Sequence, residues 1–208
     1  MLRYLLIRHG QTDWNVSGRI QGQSDVPLNV VGEEQVVALA QGLASTPIDA
    51  VYTSDLKRAR ATAEAMVDPH GLDIRLEPRL REVHFGEWEG FTYEELLGRI
   101  PGFSEAWDAW KADRVHRAPP GGESLIQFSE RVEAAMDDVR AAHPDGNVAI
   151  VSHGGSIRMT FCVLFRLPLT SYWQMSVHNT SISEIEVRER GPVVVRWNDT
   201  HHLNGAVG

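Results

Sequence analysis

The run Tyr4-Leu5-Leu6-Ile7 gives way at once to Arg8-His9-Gly10, the pattern of a strand buried on both faces that ends in a polar loop. From Val30 the apolar residues Val31, Val36, Leu39, Ala40 and Leu43 recur at helical spacing. Asn29 is placed to cap that helix and Thr46-Pro47 to stop it. Ala50-Val51-Tyr52 predicts a second short strand, after which Ser54-Asp55 offers caps for a helix through Ala61, Ala65 and Met66, with Arg58 in its first turn. Leu72 to Leu76 predicts a third short strand, leading into the charged segment Arg79 to Glu82 and the loop Phe85-Gly86-Glu87-Trp88-Glu89-Gly90.

Thr92 and Glu95 have the spacing of a capping box. The stretch Ala118 to Glu123, rich in Gly and Pro, reads as a loop before another helix, whose apolar positions Leu125, Phe128, Val132, Ala135 and Val139 share one face. Val148-Ala149-Ile150-Val151 is a further buried strand that enters Ser152-His153-Gly154-Gly155 and then an apolar helix. Ile182 to Val187 and Val193 to Trp197 flank Glu189-Arg190-Gly191-Pro192, which predicts an antiparallel hairpin. Strands that alternate with helices imply an α/β chain. The expected fold is a three-layer α/β/α domain with a mostly parallel central sheet and an antiparallel C-terminal edge.

A length of 208 residues, 42% of them hydrophobic, suits one sizeable core, so a single domain over 1–208 is expected. The formal charge of −8 argues against a nucleic-acid surface, which needs clustered uncompensated Lys and Arg. It does not exclude a local anion pocket, because a few converging arginines set the field in a cleft. Met1 to Ile7 is too short for a signal-peptide core, and no stretch reaches the length of a membrane span, so a cytoplasmic location and no membrane partner are expected. The one cysteine, Cys162, lies in the apolar run Met159 to Leu167, which excludes a disulfide framework and points to a buried thiol.

Two buried strands end in Arg8-His9-Gly10 and Ser152-His153-Gly154-Gly155, and in open α/β sheets ligands sit at the carboxyl ends of strands. A histidine beside an arginine favours an anion over a cation, because the guanidinium repels a metal. The glycines after His153 let backbone N–H groups at a helix start approach that anion. Taken singly, each position has a plainer reading. His9 fits a structural loop histidine, Arg58 an exposed helical charge equivalent to Lys57 or Arg60, and Glu82 a surface ion pair.

Taken in order, the set changes the reading. Arg8-His9-Gly10-Gln11-Thr12-Asp13-Trp14-Asn15, then Ser54-Asp55-Leu56-Lys57-Arg58-Ala59, Leu80-Arg81-Glu82 and Ser152-His153-Gly154-Gly155 resemble the histidine phosphatase superfamily, also called phosphoglycerate-mutase-like. The likeness covers nearly the whole chain, including Arg19-Ile20-Gln21-Gly22, the Gly86 to Gly90 loop, Gly121-Gly122-Glu123-Ser124 and Asn198 to Leu203. It implies a phosphatase of small phosphorylated metabolites in which His9 is the nucleophile and Arg8 and Arg58 clamp the phosphoryl oxygens. His153, the Gly154 amide and Asn15 would complete the positive pocket, with no metal and no cofactor required. Glu82 matches the proton donor, with Glu87 and Glu89 as competitors by composition that are expected instead to pack or cap in their loop.

Gln21 and Gly22 match a loop that reaches the substrate, and His84, His178, Asn179 and Ser181 are further candidates for the mouth. The pair His201-His202 is expected in surface or hairpin packing rather than on a metal. Within the family, a cofactor-dependent phosphoglycerate mutase is the alternative. The mutases this chain resembles carry a longer insertion between the Glu82 and Gly122 motifs, so the short interval here favours hydrolysis. From another class, a non-catalytic phospho-ligand-binding protein would be expected to have lost one of His9, Arg58, Glu82 or His153. A helical cap over the site is expected at about 91–120, where Phe91, Phe103, Trp107 and Trp110 either cover the leaving group or simply pack helices. An exposed sheet edge or that aromatic cap could support a homodimer.

Overall fold

The computed structural model describes residues 1–67 and 71–203. In chain order the main elements are β1 (Leu2–Arg8), α1 (Asp13–Val16), α2 (Val30–Leu43), β2 (Ala50–Thr53), α3 (Lys57–Val67) and β3 (Ile74–Leu76). They continue as α4 (Tyr93–Arg99), α5 (Phe103–Ala112), α6 (Leu125–Ala142), β4 (Gly146–Ser152), α7 (Gly154–Phe165), β5 (Ile182–Arg188) and β6 (Gly191–Asp199). The six strands form one sheet in the order β3-β2-β4-β1-β5-β6. β1, β4, β2 and β3 run parallel, while β5 pairs antiparallel with β1 and β6 antiparallel with β5. The chain therefore has the expected mixed α/β architecture, a mostly parallel sheet with an antiparallel C-terminal edge.

Alternation along β1 explains why its apolar run is unbroken. Tyr4 and Leu6 pack with Val132, Met136, Val148, Ile157 and Cys162 under α6 and α7, whereas Leu5 and Ile7 pack with Leu39, Leu43, Ala63, Met66 and Val151 under α2 and α3. Each buried Leu or Ile contributes roughly 1.5–3 kcal/mol of transfer free energy, so both helical layers are needed to cover the sheet. Cys162 is buried in this core, which pushes its thiol up to about 11. Among the described residues no helix is long and apolar enough to cross a membrane.

The sequence placed most elements and misplaced some ends. Asn29 does cap α2, accepting the Gly32 N–H at 2.8 Å, and Thr92 and Glu95 do form a capping box. The start of α3 is different. The N–H of Lys57 is accepted at 2.7 Å by Asp25 from an earlier loop, and Asp55 is turned instead to a bidentate pair with Arg81. A long-range carboxylate thus replaces the expected local cap, and Asp55 is freed to tie α3 to the segment that carries Glu82. The short helix α1, boxed by Thr12 and Asn15, was not predicted because one polar turn has no apolar periodicity.

The segment after Glu82 closes on itself. Trp88, Leu96, Phe103 and Trp110 form a separate buried cluster, with Phe91, Tyr93 and Trp107 against it. The rings of Trp88 and Trp110 meet edge to face at 5.4 Å. Packing between α4 and α5 therefore accounts for the burial of Phe103 and Trp110.

Candidate active site

Three adjacent parallel strands end side by side, and the first residue beyond each carries a polar side chain: His9 after β1, Ser54 after β2 and His153 after β4. The backbone pairing continues past the strands, with His9 N–H donating to Ser152 O at 2.9 Å and Ser54 N–H to Val151 O at 3.1 Å. This register brings the imidazoles of His9 and His153 to a centroid separation of 5.1 Å, tilted by 60°. Both rings are buried.

Hydrogen bonds assign the tautomers. His9 Nδ1 lies 2.7 Å from Gly10 O, and a carbonyl can only accept, so Nδ1 carries the proton and Nε2 the lone pair. Gly10 is itself fixed by donating its N–H to Thr62 Oγ1 at 3.1 Å. His153 is the reverse. Its Nδ1 accepts from Arg58 Nε at 3.2 Å, which leaves Nε2–H to donate to Ser54 Oγ at 2.9 Å. Burial, and after it the charge of Arg58, pushes both imidazoles well below their usual range, so both are neutral near pH 7.

Arg58 is fully enclosed in the first turn of α3. Its NH1 donates to Ser24 O at 2.7 Å and its NH2 to Gly22 O at 2.8 Å, which with the His153 bond uses three of five guanidinium protons. Burial brings it down to about 10. Arg8, the last residue of β1, donates from NH1 to Val177 O at 2.7 Å, while its buried Nε has no partner. Neither arginine has a carboxylate within ion-pair distance among the described residues, although Arg19, Arg79, Arg81 and Arg131 are paired with Glu95, Glu77, Asp55 and Glu123. A buried and a half-buried guanidinium, neither in an ion pair, beside a neutral histidine define an anion pocket.

Glu82 reaches the start of α7. Its Oε2 accepts the Gly155 N–H and its Oε1 the Val83 N–H, each at 2.9 Å. A Cβ on residue 155 would overlap the Glu82 carboxylate and the Tyr172 hydroxyl, so only glycine lets the three groups meet. Gly154, the first residue of α7, lies against Arg8, where a Cβ would come 3.5 Å from Nε. Asn15 Oδ1 accepts from Thr12 N at 3.0 Å and from Asn179 Nδ2 at 3.3 Å, which leaves the amide NH2 as the end able to donate to a ligand.

The other candidates divide. Gly22 adopts φ +51° and supplies the carbonyl that holds Arg58, while the Oε1 of Gln21 is buried with no partner. Asn179 also donates to His9 O at 3.0 Å, which places it in the site, and Ser181 leaves a buried, unpartnered hydroxyl nearby in the chain. His178 turns to Asn198, and His84 is part exposed at 3.7 Å from Glu89. Glu89 anchors the loop as expected: its two oxygens accept the N–H groups of Gln23, Ser24 and Phe85, at 2.8–3.0 Å. Glu87 is exposed. His202 packs on Gly42 and meets Thr180 Oγ1 at 3.3 Å.

Sequence reasoning missed three residues. Ser54 was read only as a cap, although its position one residue past a parallel strand, like His9 and His153, was a usable signal. Arg158 lies four residues beyond Gly154 and so on the same face of α7. Tyr172, buried beside Glu82, gave no signal because it sits in a short 3-10 helix, Leu169–Gln174, with no apolar period of its own.

The sequence model of the histidine phosphatase superfamily (branch 1) matches residues 4–200. Phosphoserine phosphatase 1 of Hydrogenobacter thermophilus is 33% identical over 204 residues, covering 98% of this chain and 95% of that protein. GpmB of Cronobacter sakazakii, which carries a phosphoglycerate mutase name, is 34% identical over 213 residues, covering 98% of this chain and 96% of that one. The crystal structure of the alpha-ribazole phosphatase from Shigella flexneri superposes with a TM-score of 0.88 at 31% identity, over 96% of this chain and 97% of that one.

Proposed function

The chain belongs to the histidine phosphatase superfamily, and from that premise we propose that it hydrolyses small phosphate monoesters through a phosphohistidine on His9, with Glu82 as proton donor. The observation that carries this reading is the His9 ring, neutral and held by Gly10 O so that Nε2 presents a lone pair beside two unpaired arginines. Relatives named as phosphatases support the same class.

Arg8, Arg58, the Gly154 N–H and the Asn15 amide bind the phosphoryl oxygens. Nε2 of His9 attacks phosphorus, the bond to the leaving oxygen breaks, and that oxygen takes the proton of the Glu82 carboxyl. Water then attacks the phosphohistidine. It gives its proton to the Glu82 carboxylate, and inorganic phosphate leaves with His9 restored. His153 acts through Arg58: both of its nitrogens are occupied, so its part is to fix the guanidinium against the phosphoryl group. The charge that a metal would bring is supplied by the arginines, so turnover should persist in excess EDTA.

The segment at 91–120 closes the leaving-group side. Arg114 lies over both Trp110 and Trp173, at 4.9 and 4.4 Å, and Trp173 abuts Tyr172 beside Glu82. The decisive experiment is a phosphomonoester panel with and without 2,3-bisphosphoglycerate, following phosphate release and isomerised product. Hydrolysis without the bisphosphate is expected, and isomerisation faster than phosphate release would overturn the reading.

A further inference from the structure

The aim of the His9 ring depends on Gly10, whose carbonyl accepts the Nδ1–H at 2.7 Å. At this residue the chain has left the sheet. His9 N–H still pairs with Ser152 O, and Thr180 N–H with Arg8 O, but among the described residues no backbone carbonyl accepts the N–H of Gly10. It donates instead to Thr62 Oγ1 at 3.1 Å. On another side α2 closes in, so that a Cβ on residue 10 would stand 2.7 Å from Gly32 O and 3.0 Å from Val36 Cγ2. Gly10 is thus pressed on α2 by contact and held to α3 by a hydrogen bond.

Thr62 stands four residues after Arg58 on α3 and is fully buried. Its hydroxyl donates to Arg58 O at 2.8 Å, which turns the oxygen's lone pairs toward other donors. A threonine that only had to satisfy itself within a helix would stop at this bond to the preceding turn. The second bond, from Gly10, joins the peptide that orients His9 to the backbone of the residue that carries the buried guanidinium. One hydroxyl therefore links the two elements whose relative placement decides how Nε2 meets a bound phosphoryl group.

We propose that Thr62 is a positioning residue for the transfer: its hydroxyl ties Gly10, and through it the His9 ring, to the helix that carries Arg58, so that nucleophile and clamp are aimed as one unit. It acts through Gly10 and not on the phosphoryl group itself. Misplacing an attacking atom by about 1 Å costs on the order of a hundredfold in rate, whereas the grip of the arginines on an anion does not pass through Gly10. The role rests on the reading of His9 as the nucleophile.

Thr62→Val removes the hydroxyl at nearly the same shape, and Thr62→Ser keeps it. A purely structural threonine and a positioning one both predict a lower urea midpoint for Thr62→Val, because the Gly10 N–H is left buried without an acceptor. Only the positioning role predicts a split in the kinetics. With p-nitrophenyl phosphate, kcat of Thr62→Val should fall by about tenfold to a hundredfold, while KM and the inhibition constant of inorganic phosphate stay within about threefold. Orthovanadate, which completes a trigonal bipyramid by bonding to His9 Nε2, should weaken in step with kcat. Thr62→Ser should stay within about threefold of the unaltered enzyme on each of these measures. Thr62→Cys, whose thiol is a weak acceptor, should show the same split and takes the place of the valine variant if that one does not fold. An unaltered kcat without the hydroxyl would overturn the proposal, as would a loss shared equally by phosphate binding, or a serine variant as impaired as the valine one. If turnover survives His9→Ala, the nucleophile reading fails and the positioning role with it; if turnover needs His9 but ignores Thr62→Val, the positioning role alone fails.

Discussion

His9 and His153 face each other at 5.1 Å in opposite tautomers, one protonated on Nδ1 by the demand of a carbonyl, the other on Nε2 because an arginine occupies its Nδ1. Neither ring can take a second proton without placing a cation beside Arg58.

Stability should therefore fall in mild acid. The folded rings resist protonation while the unfolded rings charge below pH about 6.5, so the unfolded state binds more protons and stability rises with pH. The two together contribute up to about 2.7 kcal/mol per pH unit, lost as pH drops below that value. Urea unfolding across pH 5 to 7 should show this slope, and His9→Ala should remove up to about half of it. A flat profile would mean that the rings titrate normally.

Arg58→Ala should cost activity on the order of a hundredfold to a thousandfold, and also stability, since the carbonyls of Gly22 and Ser24 lose their donors. Arg60, two residues on, is exposed and paired with Glu64, so Arg60→Ala should change kcat/KM by less than about twofold. Arg58→Lys should remain impaired, because an ammonium cannot span three acceptors held in a plane. Equal losses at positions 58 and 60 would show the clamp to be misassigned.

His9→Ala should abolish the acid-labile, base-stable phosphoenzyme and lower turnover by at least about a thousandfold on every ester. Glu82→Gln should discriminate. An aryl phosphate, whose leaving group needs little protonation, should retain at least about ten times more of its rate than an alkyl phosphate. If the alkyl and aryl losses match, the proton comes from elsewhere.

Gly155→Ala drives a methyl group into the Glu82 carboxylate and the Tyr172 hydroxyl. Turnover should fall by about tenfold to a hundredfold while vanadate binding survives, because the proton donor moves and the nucleophile does not. The control is Gly98→Ala in α4, where nothing lies within 4 Å of the new Cβ and a gain of about 0.5–1 kcal/mol is expected.

The strands, the long helices and the two histidine-bearing loops were legible in the sequence because each combines an apolar period with a polar break. Arg58, His9 and His153 were legible only as members of an ordered set, since alone each resembles an ordinary surface or loop residue. Contacts between distant segments stayed hidden. Nothing local announces that Asp25 caps α3, that Glu89 anchors the loop at Gln23 and Ser24, or that Tyr172 arrives beside Glu82. These depend on how loops cross in space, and a periodic pattern carries no information about that.

Residues 9, 54 and 153 become neighbours only when β1, β2 and β4 lie in register, through pairings that span much of the chain. Parallel pairings of this kind close large loops before they gain contacts, and they form late and slowly. A chain with its helices formed but β4 not yet inserted between β1 and β2 holds His9 apart from Arg58 and His153. During refolding from urea, phosphatase activity should then return no earlier than the slowest phase of sheet assembly, well after helical signal is regained. On the proposed mechanism, the chain acquires its reactive imidazole only once the sheet that shields it is complete.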